Sequence, residues 1–169
     1  MARPKEDPTQ AFTEAYDAYA DAIFRHCYFR VFNRDRAKEL MQETFMKTWE
    51  YLQKGEKVDN IRAFLYKVAN NLVIDEIRKK KEVSLDSLLE AGYEPGIDAS
   101  QEMKSKVDQW KVLSTFHKIE KSYRDVLVMR HVDGLSPSEI AEVTGESTNV
   151  ISVRLHRGLQ QLRTHLKHG

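Results

Sequence analysis

The chain reads as an all-α protein made of two small helical domains joined by an acidic flexible linker, and three observations predict this. Apolar residues recur at three- and four-residue intervals through most of the sequence, the period of a helix buried on one face. Gly and Pro are scarce, 7 and 4 of 169 residues, so few breakers interrupt those patterns. Charge is segregated: residues 9–81 hold 14 Lys/Arg against 11 Asp/Glu, residues 107–169 hold 9 against 7, and residues 82–106 hold 2 against 6. The acidic middle also carries Gly92, Pro95, Gly96 and several Ser, which marks it as a linker. Each flanking segment is then expected to bury its own core. Below roughly 80 residues such cores are marginal, so docking on a larger partner is expected.

The first helix is predicted from Pro8 to Val31, with Phe12, Ala15, Tyr16, Tyr19, Ala22, Ile23 and Cys27 gathered on one side. Asn33-Arg34-Asp35 supplies a break with capping chemistry. The second helix runs to Gln53 through Ala37, Leu40, Met41, Thr44, Phe45, Thr48, Trp49 and Leu52. After the loop Lys54-Gly55-Glu56-Lys57, either Asp59 or Asn60 caps a third helix bearing Ile61, Phe64, Leu65, Val68, Ala69, Leu72 and Ile77. It is expected to close in Arg78-Lys79-Lys80-Lys81. Cations and aromatics mix along it: Arg62, Phe64, Tyr66 and Lys67, then Asn70 and Asn71. Aromatic faces and amides suit unstacked bases, and Lys/Arg suit phosphates. The bland reading, a core Phe64 and a solvated Lys run, weighs about equally on these residues alone.

The most specific stretch lies near the C-terminus. Ser136 suits an N-cap, Pro137 the first helical position and Glu139 the reciprocal capping-box partner. Ile140, Ala141 and Val143 supply apolar positions, and Gly145 suits the left-handed residue that ends the helix. Ser147 or Thr148 then caps a helix in which Val150, Ile151, Leu155, Leu159, Leu162 and Leu166 recur at helical spacing. Its outer face carries Ser152, Arg154, His156, Arg157, Arg163 and Lys167, and no Asp or Glu occurs from 147 onward. A helix with one apolar and one cationic face, set behind a Gly turn, fits a DNA groove.

Other classes find little support. The net charge of +1 averages over the segregated segments. Cys27 is the one cysteine, which excludes an internal disulfide and points to a reducing cytoplasm. No apolar run reaches membrane-spanning length, so no membrane insertion is expected. His165-x-x-His168 lies at a frayable end without further ligands, and Cys27 beside His26 is no catalytic pair, since helix neighbours point apart. No enzyme activity, metal or cofactor is expected. A helix-turn-helix repressor or activator acting without polymerase, and an RNA-binding module, remain as alternatives.

Three stretches resemble the extracytoplasmic-function (ECF) sigma factors, the minimal two-domain members of the sigma-70 family. Asp35-Arg36-Ala37-Lys38-Glu39-Leu40-Met41-Gln42-Glu43-Thr44-Phe45 through Trp49 resembles the family's region 2.2 helix. Phe64-Leu65-Tyr66-Lys67-Val68-Ala69-Asn70-Asn71 through Asp75 and Arg78 resembles its promoter-melting helix. Asp133-Gly134-Leu135-Ser136 through Ile140-Ala141, with Arg154-Leu155-His156-Arg157, resembles its region 4 helix-turn-helix.

The resemblance implies a transcription initiation factor without catalytic chemistry of its own. Residues 9–81 would be region 2, 82–106 the linker and 107–169 region 4. Glu39, Leu40, Gln42 and Glu43 would dock on the clamp helices of the largest core RNA polymerase subunit, Leu40 and Phe45 serving mainly the core. The second half would meet the flap of the second subunit. Arg62, Tyr66, Lys67, Val68, Asn71, Arg78 and Lys79, with the Leu52–Asn60 loop, would hold the minus-10 strand and a flipped base. Ser147, Thr148, Asn149, Ser152, Arg154, His156 and Arg157 would meet the minus-35 duplex. The acidic linker would thread a polymerase channel, and an anti-sigma factor would be a further partner. Two positions depart from the family pattern: Phe64 stands where Trp is frequent, and Asn149-Val150-Ile151-Ser152 replaces Gly-Thr-Val and a basic residue.

Overall fold

The computed structural model describes residues 7–87 and 114–167. Its first helix, α1 (Pro8–Val31), starts where Asp7 Oδ1 accepts the Thr9 amide at 3.1 Å. It ends at Phe32, whose φ of 53° makes it the one non-glycine in the left-handed region among the described residues. The Phe32 ring offsets that strain by packing under the Arg124 guanidinium and against His117. Asn33 Oδ1 caps α2 (Arg34–Gln53) through the Arg36 amide at 2.9 Å. Asn60 caps α3 (Ile61–Ser87), accepting the Ala63 amide at 3.1 Å.

These helices form a three-helix bundle around Ile23, Cys27, Leu40, Phe45, Leu65, Ala69 and Val73. Phe12 and Tyr16 extend it to Trp49 and Phe45 through edge-on ring contacts. Helix α3 does not close at Lys81 as the sequence pattern suggested. It continues to Ser87, into the first residues of the 82–106 segment, because Glu82 to Ser87 hold no Gly or Pro to stop it. The remainder of that segment, 88–106, lies outside the described residues.

In the second half, a helical turn at 114–118 leads to α4 (Lys121–Leu127), which runs on as a π-helical turn over Val128–Val132. Helix α5 (Pro137–Thr144) has both halves of its capping box: Glu139 N donates to Ser136 Oγ at 3.2 Å, and Ser136 N donates to Glu139 Oε1 at 3.0 Å. Gly145 ends it with φ 76°. Ser147 is the cap of α6 (Thr148–Lys167), accepting the Val150 amide at 3.2 Å.

The expectation of two separately buried cores needs correction. Val126, Met129, Leu135, Ile140, Val143 and Ile151 of the second half share one buried cluster with Ile23, Leu65 and Val73 of the first. Short helices such as α4 and α5 cannot enclose their own apolar faces, so they close against α1 and α3. Polar groups key this junction. His26 Nδ1 meets Asp133 Oδ2 at 2.5 Å, and Arg30 Nε donates to Asp125 Oδ1 at 3.1 Å. Arg30 Nη1 also bonds Asn70 Oδ1 on α3. Arg62 donates to Glu139 Oε2 at 2.9 Å.

A methyl group added at Gly145 would meet nothing within 4 Å, so its cost is purely conformational. Gly145→Ala is expected to lower stability by about 1 kcal/mol, read by urea denaturation. On the other side of the bundle, Arg36 bonds Glu76 of α3 and Glu39, each at 2.7 Å. The Arg36 hydrogen bond holds the Glu76 carboxyl below its ordinary 4.5. A carboxyl depressed by folding contributes stability above its unfolded pKa and loses it as pH falls through the folded value. The stability gap between the native chain and Glu76→Gln should therefore be full at neutral pH and shrink in acid below about 4.5. Denaturation midpoints across that range measure it, and a gap that does not vary with pH would contradict it.

Candidate nucleic-acid interface

Helix α6 is presented by two supports. Its apolar side seats Ile151 in the core, with Leu155, Leu159 and Leu162 packed beside α4. Gly158 lets the helices approach closely: a Cβ there would stand 3.0 Å from Leu127 Cδ1 and 3.2 Å from Tyr123 Cβ. That close approach is a feature the sequence reading did not use, and an isolated Gly inside a helical pattern was its signal. Opposite, Ser147, Thr148, Asn149, Ser152, His156 and Arg157 are all exposed on one side. Arg154 is set apart from them. It is half-buried, pairs with Glu146 at 3.4 Å and lines a cleft of about 240 Å³ with Arg30, Asn70, Ile74 and Asp125.

On α3, Lys67, Asn71, Arg78 and Lys79 are exposed, while Val68 is half-buried. Lys67 and Asn71 are one turn apart, and Ile74 and Arg78 continue the stripe. Ile74 is exposed at 42% and was not singled out from sequence. Arg78 is tied to Asp75 at 2.9 Å. Tyr66 stands elsewhere: only 1% exposed, it packs edge-on to His26 in the junction between the halves. Its neighbours 65, 69 and 73 share the core face, and the ring follows them. Burial, and next the Asp133 charge, push its phenol up to about 12. Arg62 is half-buried over the Tyr66 ring and held by Glu139. Phe64, at the position where the pattern often has Trp, leans on Tyr51 with ring centroids 4.8 Å apart.

Helix α2 divides its candidates. Leu40 is 1% exposed and sits among Ala37, Met41 and Phe45, so it fixes the helix rather than presenting to solvent. Glu39 and Gln42 are exposed and Glu43 half-buried. Met46, one turn beyond Gln42, is 63% exposed and adds an apolar centre to this acidic patch; sequence reasoning passed over it. An exposed Met inside an otherwise regular apolar pattern looks like a core residue until the helix is oriented.

Among the described residues no three His, Cys, Asp or Glu groups converge in a metal-binding arrangement. None of the described helices is long and apolar enough to cross a membrane. The Cys27 thiol is fully buried, and burial pushes its pKa up to about 12, which makes it unreactive.

Comparison with known proteins matches both halves in order. Residues 15–83 match the family model of Sigma-70 region 2, and residues 111–162 match that of Sigma-70, region 4. The chain is 32% identical over 179 residues to the ECF RNA polymerase sigma factor SigW of Bacillus subtilis (strain 168), covering 96% of this chain and 92% of that protein. It is 27% identical over 149 residues to RNA polymerase sigma factor SigV of the same organism, covering 85% and 84%. Two solved structures share the fold. The sigma factor RpoE in complex with the anti-sigma factor NepR from Bartonella quintana superposes with a TM-score of 0.78 at 21% identity, over 94% of this chain and 98% of that one. CnrH in complex with the cytosolic domain of CnrY gives 0.71 at 19% identity, over 95% and 90%. With both regions matched in one chain and near full-length similarity to SigW, this protein belongs to the ECF RNA polymerase sigma factors of the sigma-70 family.

Proposed function

We propose that this sigma factor brings core RNA polymerase to a restricted set of promoters, captures the minus-10 strand with α3 and reads the minus-35 duplex with α6. The observation that carries the reading is the exposed, carboxylate-free outer face of α6, joined in one chain to a helix, α2, that presents Glu39, Gln42 and Met46 to solvent beside half-buried Glu43. Those α2 residues are suited to the polymerase clamp helices, and the second half to the flap. Lys67 and Asn71 offer a phosphate partner and an amide one helical turn apart. Extruding a base costs a few kcal/mol, which such hydrogen bonds and stacking must offset. An anti-sigma protein is a natural partner, as NepR is in the RpoE complex.

Run-off transcription with purified core enzyme on genomic fragments tests the whole reading; failure to associate with core enzyme would end it. Arg157→Ala should weaken minus-35 binding by about 1–3 kcal/mol through loss of a base-reading contact, and an unchanged footprint would contradict this. Asn71→Ala should spare duplex binding yet reduce strand opening, seen as lower permanganate reactivity of the minus-10 thymines.

A further inference from the structure

The outward face of α6 carries, in its first half, an apolar residue that the fold does not use. Val153 is 42% exposed. It joins neither buried cluster, whereas Ile151, Leu155, Leu159 and Leu162 of the same helix all do. At 3.6 residues per turn it stands on the side away from Ile151, one turn beyond Asn149 and one turn before His156 and Arg157, with Ser152 at its flank. Those four neighbours are polar and exposed, and no Asp or Glu follows position 146. Val153 is thus ringed by the residues assigned above to the minus-35 duplex. A single exposed apolar side chain is ordinary on a protein surface, and it is the place of this one that sets it apart. Leu166, equally exposed, lies in the last turn beside His165 and Lys167, away from the end of a recognition helix that reaches base edges.

The residue type matters as well as the position. A β-branched side chain is a weaker helix former than Ala, and here no burial offsets that. The same branching holds χ1 in one strongly preferred rotamer, so both methyl groups point in a fixed direction. In the major groove every base pair shows hydrogen-bond donors and acceptors, and the one apolar group is the C5-methyl of thymine. Two methyls pressed against any other edge would strip water from polar atoms and return no hydrogen bond. We propose that Val153 reads the 5-methyl group of one thymine in the minus-35 duplex, so that the chain selects an A·T pair, in one orientation only, at the step this residue faces. The inference rests on the promoter reading of α6 and deepens it. The polar neighbours hold the helix against the groove, and Val153 adds a preference that no hydrogen bond supplies.

Holoenzyme assembled from core RNA polymerase and the full chain would first select bound duplexes from a pool randomised over the minus-35 window. Each thymine of the selected window is then replaced singly by uracil, which removes the methyl group and leaves every hydrogen-bonding atom in place. At one position the native holoenzyme should lose about 3- to 5-fold in affinity, the worth of one buried methyl. Val153→Ser keeps a small side chain without the methyl groups, and should bind the thymine and uracil duplexes alike at that position. Val153→Ile should keep the native difference. Val153 lies outside both buried clusters, so all three chains should show the same helix content by circular dichroism. A selected window without thymine, a native chain indifferent to uracil at every position, or a Val153→Ser chain that keeps the full difference would each overturn the inference. The promoter reading is judged separately. If a minus-35 sequence is enriched and uracil has no effect, Val153 alone loses its role; if no sequence is enriched, the reading of α6 falls and takes this inference with it.

Discussion

A guanidinium buried in the junction between the two halves is the constraint on which the rest of the arrangement depends. Arg30 is only 3% exposed, and a cation so enclosed is tolerated only when oxygens surround it. Asp125 supplies the charge and Asn70 a further acceptor. Because those acceptors sit on α4 and α3, satisfying one side chain of α1 fixes two other helices against it. His26, one turn earlier on α1, repeats the device with Asp133. Arginine can only donate, so its 3.2 Å contact with His26 Nε2 leaves Nδ1 to carry the proton given to Asp133. The register of three helices thus follows from a few obligatory hydrogen bonds.

The elements closed by local chemistry were legible in the sequence. Asn33, Asn60, Ser136 with Glu139, and Gly145 each act within four residues, and each cap stands where its residue type and neighbours place it. Helix α4 was not legible for the same reason in reverse. Glu120 makes no side-chain cap there, and the π-helical turn that follows breaks the regular period on which pattern reading depends. The junction was beyond reach altogether, since Arg30 and Asp125 are 95 positions apart and His26 and Asp133 are 107 apart. On a helical wheel, His26 and Arg30 look like ordinary surface polars.

The candidate site divides along the same line. Lys67 and Asn71 share a face by spacing alone, and the exposed residues of α6 follow from its apolar side. Tyr66 and Arg154 could not be placed this way. Both sit at the edge of an apolar stripe, where only the position of a distant helix decides between solvent and burial. Leu40 went to the core because its i−3, i+1 and i+5 neighbours Ala37, Met41 and Phe45 are core residues too.

The composition of the junction bears on whether it can part. An all-apolar contact of this kind would be held by area and would be exposed at full cost on separation. Here charged pairs ring a modest apolar centre, and the desolvation of Arg30, Asp125, Arg62 and Glu139 offsets much of their mutual attraction. If the halves part, these groups would regain water, which offsets the loss of their pairing. A contact built from such groups is specific when closed yet costs little to replace.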